Sequence, residues 1–133
     1  MKTKSILTAL LLCAACSPTP QWVPVPNGKP GEAIDVSNIA VTSSVRRASI
    51  KVTFATRASW DTSPEDRRVT ELLARQAYDC VRRTHKNEAL TFRYADGNVR
   101  EVPPERLPPH DWKPVSLDDG KPELDLICAR KPQ

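Results

Sequence analysis

The chain has 133 residues and a formal net charge of +4, and only its 13 prolines depart from an ordinary composition. That length suits a single domain. The absence of internal repeats, of heptads and of any apolar stretch beyond the first residues long enough for a membrane excludes solenoids, coiled coils and a membrane-spanning helix in the rest of the chain.

The first residues, Met1-Lys2-Thr3-Lys4-Ser5, are basic and run into an apolar segment over 6–15 that is too short to span a bilayer as a helix. Small residues Ala14 and Ala15, then Cys16, then a Ser/Pro-rich stretch complete the order of an export signal. The segment resembles a bacterial lipoprotein signal, in which an aliphatic and two small residues precede the modified cysteine. Ala14, Ala15 and Cys16 match that pattern, and Cys13 stands where Leu or Val is usual. The resemblance implies cleavage before Cys16, acylation of Cys16 and, with Ser17 next, delivery to the outer membrane. One acyl chain anchors only marginally, and lipoproteins of this type carry several. Acylation also leaves an even number of cysteines in the domain, Cys80 and Cys128, where plain secretion leaves three thiols. The expected organisation is a signal over 1–15, a lipidated tether over 16–21 and a domain over 22–133. The mature part holds 18 basic against 16 acidic side chains, a balance that points away from nucleic acid.

Within the domain, Trp22-Val23-Pro24-Val25 opens the fold, because an aromatic and two valines seldom sit in a solvated linker. Asn27-Gly28-Lys29-Pro30-Gly31 is a turn, Ala33-Ile34-Asp35-Val36 a short strand, and Ser37-Asn38 a further turn. The clearest element covers 47–55: Ala48, Ile50, Val52 and Phe54 alternate with Arg47, Ser49, Lys51 and Thr53, which predicts a half-buried antiparallel strand. Residues 62–82 admit two readings. Ser63-Pro64-Glu65-Asp66 has the chemistry of a helix start, and Val69, Leu72, Leu73, Gln76, Ala77 and Cys80 recur at helical spacing. Leu72, Ala74, Gln76, Tyr78 and Cys80 also fit one face of a strand, although the composition favours helix. A hairpin is predicted over 88–102, with Leu90, Phe92 and Tyr94 on one face and its turn at Asp96-Gly97. A short helix follows Pro122 and presents Leu124, Ile127 and Cys128 to the sheet.

Several features in this order resemble the surface-adhesin protein E family of Gram-negative lipoproteins. They are Trp22-Val23-Pro24-Val25, Ile34-Asp35-Val36-Ser37-Asn38-Ile39, the alternating strand, Tyr78-Asp79-Cys80, Tyr94-Ala95-Asp96-Gly97-Asn98-Val99, Trp112-Lys113-Pro114-Val115 and terminal Cys128. Asn38 departs from the family pattern by separating Ser37 from Ile39. The resemblance implies an α+β fold, a single antiparallel sheet of five or six strands with a C-terminal helix packed on one side. It also implies a strand over 70–80, a helical turn at most over 63–67, and a disulfide joining Cys80 to Cys128. A bond closing that loop suits a domain of this size, and free thiols do not suit an oxidising compartment.

No enzymatic constellation stands out, and neither cofactor nor metal is expected. His85 and His110 are read as turn or loop histidines, and no paired-His motif, Cys-x-x-Cys pair or phosphate loop occurs in the domain. Two features suit binding. Arg46, Arg47, Lys51 and Arg57 near one strand, with Arg75, Arg82, Arg83, Arg93 and Arg100 near others, form a cationic stripe if strand faces align, with Glu71, Asp79 and Glu101 to offset it. The segment from Val102 to Trp112 is Pro-rich and semi-rigid. The candidate ligand-binding residues are Arg47, Lys51, Arg93, Leu107 and Trp112. The expected partners are the membrane, through the lipid, and an extracellular or envelope protein. The resemblance implies an adhesin-like binding module. A structural accessory of an envelope or secretion assembly and an immunity-type lipoprotein capping a toxin are the alternatives.

Overall fold

The computed structural model describes residues 18–107 and 112–131. The expectations for the signal, for Cys16 and for His110 lie outside the described residues. Among the described residues the domain holds eight strands and one α-helix: β1 (Trp22–Pro24), β2 (Glu32–Asp35), β3 (Ala40–Thr42), β4 (Val45–Thr53), β5 (Val69–Asp79), β6 (Thr84–Tyr94), β7 (Val99–Val102), β8 (Lys113–Pro114) and α1 (Lys121–Ala129). All pair antiparallel in one sheet of order β1-β2-β4-β5-β6-β7, with β3 on β4 and β8 on β6. The sheet is therefore larger than the five or six strands expected. β3 and β8 account for the difference, and strands of three and two residues are too short to show a period of two.

Tertiary pairing decides the ambiguous segment. β5 is the central strand, with nine register partners on β4 and a long pairing with β6 on its other side. Those ladders and the burial of Ala74, Ala77 and Tyr78 override the helical propensity of Leu, Ala and Arg. The helix-like start at Pro64 is confined to a 3-10 turn over Glu65–Arg67. Asp61 ties down the loop before β5: its carboxylate accepts the amides of Ser63 (3.0 Å) and Val69 (2.7 Å). Hydrogen bonds from Ser63 and Val69 hold its pKa down at about 2.

Asp35 explains the Ile-Asp-x-Ser sequence. Its carboxylate accepts from the amides of Gln21 (2.8 Å) and Ser37 (3.1 Å), the Ser37 hydroxyl (2.6 Å) and the Asn38 side chain (2.6 Å). Burial opposes its charge, but these bonds outweigh burial and keep the carboxyl below its ordinary range. The turn so formed, Val36–Asn38, lets β2 and β3 lie end to end along the same edge of β4.

One face of the sheet carries the core. Ile34, Ala48, Ile50 and Tyr78 meet Leu124 and Ile127 of α1, with Val25 and Val36 at the margin. Leu124 and Ile127 are almost wholly buried, worth about 1.5–3 kcal/mol each. Two further links hold this nine-residue helix. The Cys80–Cys128 disulfide spans a Cα separation of 5.7 Å, as the family resemblance implied. Arg46 donates to the carbonyls of Ile127 and Arg130, which satisfies groups left open at a helix C-terminus. At the other end of this face Phe54, Trp60 and Phe92 make edge-to-face contacts.

His85 is not a turn residue. Asp79 accepts the amides of Val81 and Arg82, both at 3.0 Å, so the turn closes before Thr84 and His85 begins β6. There it is buried and stacked on Tyr78, with ring centroids 6.0 Å apart.

Candidate ligand-binding face of the sheet

The face away from α1 is set by register. Arg47 lies opposite Ala77, and Ala77 opposite Lys86; Ser49 aligns with Arg75 and Ala89; Lys51 aligns with Leu73 and Thr91. Strand alternation thus brings Arg47, Lys51, Arg75 and Lys86 to one surface. Ala77, which lies between Arg47 and Lys86 in the register, is fully buried.

Carboxylates neutralise part of this charge. A register shift in β6 inserts Glu88 as an extra residue, and its carboxylate meets Arg47 at 2.9 Å. Arg93 pairs with Glu71 at 3.1 Å. Such half-exposed pairs contribute about 0–1 kcal/mol to stability, but they remove net field. Among the described residues Lys51, Arg75 and Lys86 form no ion pair with a carboxylate, and they supply the uncompensated positive charge. Two of them rest on tryptophans: Lys51 lies 4.3 Å from the ring centre of Trp22, and Lys86 4.9 Å from that of Trp112. Basic-aromatic pairs therefore flank the face on both sides, with Arg75 between.

The other sequence candidates separate by role. Arg46 caps α1. Arg57 is spent inside its loop, on the carbonyls of Asp61 and Ser63 and on the Glu65 carboxylate at 2.6 Å. Arg82 and Arg83 sit in the turn after β5, where Arg83 reaches Asp125 at 3.4 Å. Arg100 faces the opposite side, opposite Phe92. Leu107 is only 6% exposed, so its side chain serves the fold. Trp112 stays 37% exposed beneath Lys86. Trp22 and Lys86 were missed as site residues, because their placement depends on strand register and not on local sequence.

No family profile matches the chain. No curated protein matches its sequence. Among solved structures, protein E of Haemophilus influenzae, in its crystal form II, is similar: 13% identity over 81% of this chain and 87% of that one, with a TM-score of 0.51. The fold of this chain is the protein E fold.

Proposed function

We propose that this is an exported lipoprotein of the bacterial outer membrane, anchored through acylated Cys16, and that its domain is a non-catalytic, adhesin-like binding module. The observation that carries the reading is the division of labour between the two sheet faces. One is occupied by α1 and the core, while the other presents Lys51, Arg75 and Lys86 between two tryptophans. Such a surface suits an acidic glycan or an acidic protein patch. Because surface charge acts over only about 8–10 Å at physiological ionic strength, this local cluster matters more than net charge.

Binding to immobilised heparin, an acidic glycan probe, tests the reading. Wild-type binding should weaken as salt rises, and Lys51→Glu combined with Lys86→Glu should reduce affinity at least tenfold without unfolding the domain. Arg47→Glu should have a smaller effect, since Glu88 already offsets that charge. Unchanged binding in the double variant moves the contact to the segment near Trp112. Failure to bind heparin, matrix proteins or plasma proteins favours the envelope-accessory alternative. Anchorage is tested separately by mass spectrometry of the membrane-extracted protein. The expected N-terminus is Cys16 with added acyl mass, and a soluble product without it contradicts the anchor.

A further inference from the structure

The core-side face of the sheet holds a second feature, independent of the binding face. A cavity of about 160 Å³ opens between the start of α1 and the sheet. Its floor is apolar, formed by Val52, Leu72 and Leu90 among others. Three polar side chains project into it from different elements: Glu32 from β2, His85 from β6 and Glu123 from the first turn of α1. They are only 5%, 7% and 7% exposed. Each buries an atom with no hydrogen-bond partner, namely Oε1 of Glu32, Nε2 of His85 and Oε2 of Glu123. An unmatched buried polar atom is costly, so three around one cavity call for a ligand that supplies donors.

We propose that this cavity is a binding site for an aliphatic primary ammonium group, its head between Glu32, Glu123 and His85 and its alkyl chain on the apolar floor. A primary ammonium offers three N–H donors, which matches three unmatched atoms, and its charge suits two buried carboxyls. A divalent metal fits less well, since no group of three metal-ligating side chains converges among the described residues. Tight packing at Gly120 fixes the His85 ring in place. Gly120, at φ +84°, lies so close to the His85 ring that a Cβ there would stand 2.8 Å from Cε1. His85 Nε2 is 3.6 Å from Asp119 at the rim, and Lys29 lines the same cavity without an ion pair to either glutamate.

Burial, then the hydrogen bond and charge of Glu123, push the Glu32 pKa up to about 8, so Glu32 holds its proton at neutral pH. Lys29 opposes that shift weakly. An incoming ammonium favours ionised Glu32, so that proton leaves to the buffer as the ligand enters.

Calorimetric titration of the domain with n-butylammonium chloride at pH 7, in two buffers of different ionisation enthalpy, tests this. Binding is expected with release of close to one proton per ligand, while the isosteric control n-butanol does not bind. Glu32→Gln and Glu123→Gln should each weaken binding at least tenfold, with melting curves showing both variants folded. A lysine-bearing peptide and its acetylated form distinguish the source. Competition by the free-lysine peptide alone assigns the site to a partner's lysine, and binding of butylammonium without peptide competition assigns it to free amines. No butylammonium binding at tens of millimolar, equal binding of the alcohol, or unchanged affinity in both glutamine variants overturns the proposal.

Discussion

Replacing Cys128 by Ser should lower stability by about 2–5 kcal/mol. The disulfide closes a loop of 48 residues, worth about 4 kcal/mol on a chain-entropy estimate. Net stability of a domain this size is only about 5–15 kcal/mol. The loss should fall first on α1. A helix of nine residues is unstable alone, and without the bond it is held by Leu124, Ile127 and the Arg46 contacts to its final carbonyls. Denaturant unfolding under non-reducing conditions measures the total. Amide hydrogen exchange should show Leu124 to Cys128 losing protection before Ile50 or Ala74 in the central strands. A loss below about 0.5 kcal/mol, or uniform loss of protection, contradicts this picture.

The second large effect is a dependence on pH through Glu32. Its folded pKa is raised from 4.5 to about 8, so the folded state keeps a proton that the unfolded chain has already released. Stability is therefore full below about pH 4.5, declines as pH rises, and levels off above about pH 8. Lys29, His85, Asp119 and Glu123 line the same cavity, and Tyr78 lies beside it with its phenol pushed far up by burial and by Glu123 and Glu32. Glu32→Gln keeps a donor for Glu123 and cannot ionise. It should match wild type near pH 4.5 and exceed it by about 1–3 kcal/mol at pH 9, the cost of an ill-matched buried polar group. A constant difference between the two proteins across that range would place the effect elsewhere.

Much of the fold was legible because β4 repeats with a strict period of two and α1 has its proline, apolar spacing and terminal cysteine. The segment around β5 was not legible from composition. Its residues favour helix locally, and its strand state comes from partners on both sides, β4 and β6, that are remote in sequence. The resemblance to the protein E family supplied that information where propensity failed. β3 and β8 escaped because so few residues carry no periodicity. The binding face was half legible. Arg47 and Lys51 follow from alternation within one strand, but the neutralisation of Arg47 requires the bulge that delivers Glu88. The partnership of Lys86 with Trp112 requires the register of β6. His85 and the Glu32–Glu123 pair were hidden for a similar reason. Each looks like a solvated residue in its own segment, and only the packing of α1 on the sheet buries all three together.

An amide chemical-shift map of the lipid-free domain, titrated with a heparin oligosaccharide, tests the assignment of the working face most directly. Shifts should concentrate at Ser49, Lys51, Arg75, Ala77 and Lys86, with the indole signals of Trp22 and Trp112 moving in parallel. Core-facing amides of Ile50, Ala74 and Leu124 should stay within noise. Shifts centred on α1 or on the 54–68 loop, with the strand-face residues unmoved, would contradict the open sheet face as the binding surface.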